Sequence, residues 1–229
     1  MRIVAISDLH GNLPAVPPCD LLVVGGDICP DRYDSEVDAR LDPAQQERWL
    51  RGPFAEWVAS IPLPASHKLF TWGNHDFVGE SGVDWRALAQ TLGFTLVLDE
   101  VVSPGGLRVW MSPWSNPLPG EWAFVRPVDQ LRTIYDAVPA DVDILVSHQP
   151  PFGYGDLEVT GPDRLEPVGS KELLATIERV RPQAVVCGHI QRSAGVYTHQ
   201  NIPIYNVSIL DGAYVLTHPA TVLSLTPRR

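Results

Sequence analysis

Hydrophobic positions along the chain fall into short, dense runs that end abruptly in polar residues and glycine. Residues 3–6 stop at Ser7-Asp8-Leu9-His10-Gly11, and residues 21–24 stop at Gly25-Gly26-Asp27. Later runs end at Gly73-Asn74-His75-Asp76, at Ser147-His148-Gln149-Pro150-Pro151 and at Gly188-His189. Runs this short, branched and closed by turn residues predict buried strands feeding loops. Between them lie segments with helical spacing. Residues 43–61 place Trp49, Leu50, Phe54, Trp57, Val58 and Ile61 on one face, with Pro53 breaking the pattern. Residues 84–92 predict a helix with Asp84 as N-cap and Gly93 at its end. Residues 128–138 and 170–180 predict two more, the last carrying an apolar stripe of Leu173, Leu174, Ile177 and Val180 before Pro182.

The remaining segments are less regular. Residues 95–98 and 107–111 read as strands, and 112–119 as a proline-stiffened loop that cannot continue a central strand. Residues 152–169 are glycine-containing and aperiodic, which predicts a rim loop. Residues 202–225 alternate short β runs with turns and predict an antiparallel closing sheet. No linker or repeat divides the 229 residues, so a single α/β domain over 1–229 is expected.

Charge narrows the partners. The chain carries a formal charge of −10 and a pI near 5.0. A broad grip on long nucleic acid needs many lysine and arginine contacts to phosphate, so it is not favoured. A small anionic substrate remains compatible, because bound cations would dominate the local field. Three cysteines without CxxC spacing suit a reducing compartment. No apolar run approaches membrane-spanning length. The chain opens directly on a strand, without a removable leader pattern. A soluble cytoplasmic protein is the expectation, and its oligomeric state is left open.

The chemistry lies where the runs stop. Asp8 and His10 are two residues apart, so an extended backbone would present a carboxylate and an imidazole together. In α/β sheets such groups gather beyond the carboxyl ends of strands. Asp8, His10, Asp27, Asn74, His148 and His189 should therefore meet in one place, a donor set suited to two divalent ions with Asp27 as a bridge. His75, adjacent to Asn74, must point elsewhere and is available for proton or charge work. Trp114 and Phe152 are candidate stacking walls for a planar substrate, with packing beneath the loop as the plainer reading of Trp114. Arg164 is a candidate phosphate contact, with a solvated surface role as the alternative.

Taken together and in this order, Asp8-x-His10, Gly26-Asp27, Gly73-Asn74-His75-Asp76, Ser147-His148-x-Pro-Pro and Gly188-His189 resemble the calcineurin-like metallophosphoesterase superfamily. The segments around Gly169, Asn206-Val207-Ser208 and His218-Pro219 are most similar to its small metallophosphoesterase-domain branch, which is associated with cyclic-nucleotide and other phosphodiester substrates. The resemblance implies a four-layer αββα sandwich with two central mixed β-sheets flanked by helices. It implies Asp8, His10 and Asp27 around a first ion, and Asp27, Asn74, His148 and His189 around a second. Manganese is favoured, with iron or zinc as alternatives. It implies phosphoester hydrolysis by metal-activated water, with His75 assisting the leaving oxygen and Asp76 or Asp31 orienting His75. One position departs from the pattern: Gln191 stands where many members carry a second histidine, a neutral and weaker candidate ligand for the first ion. The implied activity is a phosphodiesterase acting on small or cyclic nucleotides. Two alternatives remain: a phosphomonoesterase, and a metal- and nucleotide-binding protein with little turnover.

Overall fold

A computed structural model of the chain describes residues 1–30, 42–162 and 164–228. Two mixed sheets face each other. The first is built from Arg2–Ile6 (β1), Leu21–Val24 (β2), Lys68–Phe70 (β3), Thr95–Leu96 (β4) and Thr221–Ser224 (β13), in the order β13-β1-β2-β3-β4. The strands of the second are Glu100–Val102 (β5), Val109–Ser112 (β6), Ile144–Ser147 (β7), Ala184–Cys187 (β10), Gly195–His199 (β11) and Ile202–Asn206 (β12). Their order is β11-β12-β10-β7-β6-β5. Neighbours are parallel except at the rims, where β13, β11 and β5 run antiparallel to their partners.

The dense apolar runs follow from burial on both faces. Along β1, Ile3 and Ala5 face the second sheet, packing in one cluster with Val109, Met111, Ile144, Val146 and Val186. Their alternates Val4 and Ile6 join a second cluster with Leu50, Phe54, Val58, Trp85 and Ala89 from the helical layer outside. That layer comprises Pro43–Trp49 (α1), Ala55–Ser60 (α2) and Trp85–Leu92 (α3). On the other side, Trp110, Leu145, Val185 and Cys187 pack on Leu131 and Tyr135 of Val128–Asp136 (α4) and on Leu173 and Ile177 of Lys171–Val180 (α5). The period-two alternation of each strand thus yields four layers, helix, sheet, sheet, helix.

Local signals act where expected. Asp84 accepts from Ala87 N, and Gly93 closes α3 with φ +88°. Ser170 caps α5 through Leu173 N. The helical segment over 43–61 is interrupted at Leu50–Phe54, where Gly52 leaves helical geometry before Pro53.

Two expectations are corrected. The segment 152–169 is not all loop: Leu157–Gly161 (β8) and Arg164–Pro167 (β9) form a separate antiparallel hairpin. Val159 pairs with Leu165 and both stay about half exposed, so the ladder leaves no burial signature in the sequence. Residues 202–225 do not form a closing sheet of their own. β12 lies parallel to β10 in the second sheet, while β13 is antiparallel to β1 in the first. Between them the chain crosses over: Ser7 N donates to Val207 O, and Ile209 N donates to Ser7 O. That crossing stitches the two sheets together at the carboxyl ends of their central strands.

Candidate metal centre

Five loops leave the carboxyl ends of β1, β2, β3, β7 and β10, and backbone hydrogen bonds tie them edge to edge. Asp8 N donates to Gly26 O, His10 N to Asp27 O, and Gly188 N to His148 O. Their spacing leaves no room for side chains at certain positions. A Cβ on Gly73 would collide with Asp27 Oδ1 and His148 Cε1, and one on Gly188 with the Asp8 carboxylate. Four of the converging residues adopt left-handed backbone: Asp8 (φ 57°), His10 (φ 41°), Asp27 (φ 50°) and His189 (φ 67°). Each costs about 1 kcal/mol or more for a non-glycine residue, strain that clusters at functional sites.

The side chains form two donor groups that share one residue. Asp8, His10 and Asp27 bring ligand atoms within 4.8 Å of one another, and so do Asp27, His148 and His189. Asn74 joins the second group, its Oδ1 lying 3.0 Å from His148 Nε2. Asp27 is central to both, with Oδ2 3.6 Å from His10 Nε2 and 3.3 Å from His148 Nε2. The six candidate ligands are therefore brought together.

Whether divalent ions fit can be judged from His148. Its Nδ1 lies 2.9 Å from Gly25 O, and a carbonyl can only accept, so Nδ1 carries the hydrogen. Nε2 then turns its lone pair towards the Asp27 carboxylate, an arrangement that needs a proton or a cation between the two. The same conflict appears in the ionisation of the pair. Burial alone would lower the His148 pKa, but the Asp27 charge and hydrogen bond hold it at about 9. Burial would raise Asp27, yet His148, His75 and His10 hold it well below the usual carboxylate range. Burial, with His148 next to it, pushes His189 down to about 3, which keeps it neutral and able to donate its lone pair. A divalent ion satisfies all of these groups at once, so the donor set fits.

Gln191 sits at the first group. It is only 7% exposed, and its Nε2 lies 3.0 Å from His10 Nε2. Among the described residues its Oε1 is buried without a hydrogen-bond partner, an arrangement that costs free energy unless a donor or a cation meets that oxygen.

His75 is buried beside both groups. Its backbone N–H donates to Asp27 Oδ1, and its ring centroid lies 4.8 Å from that of His10 in an edge-on arrangement. Asp76 occupies a different place from the orienting role expected of it. Its two oxygens accept from Ile28 N, Cys29 N and Gly73 N, so this carboxylate ties the loops after β2 and β3 together. Burial, then repulsion from Asp27, raises its pKa to about 6 against the pull of those amides. Asp31, the other residue considered for orienting His75, lies outside the described residues.

The side chains expected to meet substrate each have a neighbour within the fold. Trp114 packs on Phe124, donates from Nε1 to Asp99 Oδ2 at 2.6 Å, and carries the Arg126 guanidinium 4.0 Å over its ring. The Phe152 ring lies 4.9 Å from the Lys171 ammonium. Arg164 is exposed on β9 and pairs with Glu166. The aromatic ring beside His75 belongs instead to Trp122, with centroids 4.7 Å apart. Tyr214 lies 4.9 Å from His10.

Three supporting residues were not among the candidate site residues, although Asn206 and Ser208 lie in a segment that carries the resemblance. Ser208 donates from Oγ to Asp8 Oδ2 at 2.7 Å. Asn206 uses its amide nitrogen to hold Gly155 O and Ile190 O. Gln46 of α1 donates to His75 O and accepts from Val78 N. Each is an ordinary polar residue whose role arises only once distant segments meet.

Proteins of similar sequence are found in animals. Human metallophosphoesterase domain-containing protein 1 is 28% identical, over 99% of this chain and 72% of its own length. A UPF0046 protein of Caenorhabditis elegans is 28% identical over 92% of this chain and 76% of its own. Among solved structures, the TT1561 protein of Thermus thermophilus shares the fold with a TM-score of 0.53 at 16% identity, covering 90% of this chain and 88% of that one. The phosphopantetheinyl hydrolase of Mycobacterium tuberculosis does so at 0.52 and 15%, covering 93% and 90%. Residues 1–193 match the calcineurin-like phosphoesterase family, a span that holds all the converging donors, and the chain belongs to that family.

Proposed function

We propose that the protein hydrolyses small phosphodiesters at a two-ion centre. The observation that carries this reading is the sharing of Asp27 by two donor groups, with His75 buried against both. Asp8, His10 and Asp27, with Gln191 alongside, would hold one ion. Asp27, Asn74, His148 and His189 would hold the other, with manganese favoured over iron or zinc. Divalent ions held there supply positive charge for phosphoryl oxygens and acidify water at the site.

The residues of the chain do the rest. The Gly25 carbonyl fixes the His148 tautomer, and Ser208 fixes the Asp8 carboxylate. The His75 ring is anchored through its backbone to Asp27, so its imidazole is placed to stabilise charge on, or give a proton to, the leaving oxygen. The Trp122 ring lies against one side of His75, with centroids 4.7 Å apart. The formal charge of −10 favours a small substrate over a long polyanion.

The test is hydrolysis of bis-p-nitrophenyl phosphate and p-nitrophenyl phosphate by the Mn²⁺-loaded protein, with His75→Ala as control. Diester cleavage that falls by about 100-fold or more in His75→Ala is expected. Preferential monoester cleavage would replace the diesterase reading with a phosphatase. The buried Gln191 Oε1, unpartnered among the described residues, favours one second reading, a binding protein with a single firmly held ion. Metal bound at one equivalent without turnover of either ester would select it.

A further inference from the structure

The stretch between Pro151 and Ser170 leaves the loop that carries His148 and returns at the N-cap of α5. Its base is pinched shut. Phe152 N donates to Ser170 O, Ser170 N donates to Pro150 O, and the buried Asp156 carboxylate accepts from Gly153 N and Gly169 N. Beyond the base stands the β8–β9 hairpin, with its apolar side turned outwards. Leu157, Val159 and Leu165 share one face of the ladder and are 48%, 46% and 58% exposed. Glu158 and Glu166, directly opposite one another, occupy the other face. A two-stranded ribbon is marginal in water, and an apolar face left in solvent adds little to it. Packing does not explain why the hairpin sits where it does.

Its polar side holds the turn that carries Gln191. That residue opens a single 3₁₀ turn, Gln191–Ser193. The buried Ser193 Oγ accepts from Leu157 N at 3.1 Å and donates to Leu157 O at 3.0 Å, taking the place of a paired strand residue. Arg192 Nε lies 3.1 Å from Glu158 Oε1. The same guanidinium passes so close over Gly212 that a Cβ there would stand 3.1 Å from it. Asn206 Nδ2 bonds both Gly155 O, at the foot of the hairpin, and Ile190 O, just before the turn, each at 2.9 Å. Within this frame Gln191 presents Nε2 to His10 Nε2 at 3.0 Å. A turn this short has little internal hydrogen bonding, so ties to its neighbours decide where its side chains point.

We propose that the β8–β9 hairpin is a positioning element for the first donor group, holding Gln191 against His10 through Ser193 and Arg192. The proposal rests on the two-ion reading of the centre, though not on which ester is cleaved there. Ser193, Arg192 and Glu158 are positioning residues that act through Gln191. The hairpin springs from the loop of a second-group ligand and ends against the turn of a first-group one. Occupancy of the first group therefore follows whatever loosens or steadies the hairpin. Ser193 carries more of this than Glu158, because its two bonds are buried while the ion pair is washed by solvent.

Calorimetric uptake of Mn²⁺, joined to electron paramagnetic resonance of the loaded protein, tests this. The native protein should take up two equivalents whose spins are coupled. Ser193→Ala should weaken one equivalent by about fivefold or more and bring up the spectrum of uncoupled Mn²⁺, with the other equivalent within about twofold of native. Glu158→Ala should weaken the same equivalent by about twofold. Ser193→Thr keeps the hydroxyl and should restore native uptake. Thr160→Ala removes a bond to Glu166 inside the hairpin without touching the Gln191 turn, and should change neither equivalent. In a Gln191→Ala background, Ser193→Ala should have no further effect, as expected of a residue that acts through Gln191. An unmoved first equivalent, equal weakening of both, or effects that add to those of Gln191→Ala would overturn the proposal. So would uptake of a single equivalent by the native protein. Two coupled ions without turnover of either ester would instead overturn the hydrolase reading and leave the role of the hairpin standing.

Discussion

Individual residues explain why the centre departs from an ordinary set of acids and histidines. Gln191 places an amide beside His10 and leaves Oε1 buried without a partner among the described residues, so the first donor group should be the weaker of the two. Gln191→His should raise the affinity of that group by about tenfold or more, read as a second equivalent of Mn²⁺ surviving gel filtration. Gln191→Ala should show no such gain. Ser208 has the opposite character: its segment was legible as part of the resemblance, its attachment to a candidate ligand was not. Ser208→Ala removes a charge-assisted hydrogen bond to Asp8, and Mn²⁺ affinity measured by calorimetry should fall about 10–100-fold. The donors themselves are legible because each closes an apolar run. Asp76 invites a misreading for an equally physical reason. A carboxylate beside a histidine looks like its orienting partner, whereas here three backbone amides claim both oxygens.

At the scale of elements, continuous runs, caps and breakers proved reliable guides. Asp84, Gly93, Ser170 and Pro53 each act through local geometry, and local geometry is what a short stretch of sequence encodes. The β8–β9 hairpin escaped because it is held by its ladder and by surface pairs such as Thr160 with Glu166, with no buried face to impose a period. The destinations of β12 and β13 escaped because strand order is a property of the assembled sheets. The brace between α1 and the His75 loop escaped for the same reason. Gln46 is fully buried in a helix and satisfies one carbonyl and one amide of that loop. Gln46→Leu should lower stability by about 2–4 kcal/mol in urea unfolding, since it strands two buried backbone groups. It should also weaken ester hydrolysis by loosening His75.

For the molecule as a whole, four layers place every candidate donor on one rim and leave polar groups deep in the interior under strict control. Tyr135 of α4 is buried, with its hydroxyl 3.0 Å from Ser147 Oγ and accepting from Gln149, the residues on either side of His148. Burial pushes its pKa up to about 12, above the ordinary tyrosine value near 10. The unfolded chain therefore ionises first as pH rises. The stability this group contributes is complete below pH ~10 and is lost between ~10 and ~12, on the order of a few kcal/mol. Thermal melts across that window should fall more steeply for the native protein than for Tyr135→Phe.

The pairing of β1 with β13 carries a consequence for how such a protein comes into being. The strand that ends in Asp8 and His10 has its outer neighbour at Thr221–Ser224, and Ser7 is stitched to residues 207–209. Asp8 therefore cannot be seated until segments far along the chain, residues 207–209 and β13, have come back to β1. Capture of an ion by the first donor group should accordingly follow these long-range closures and not precede them. Nascent fragments would expose an unpaired apolar edge, the kind of surface that chaperones shield until synthesis is complete.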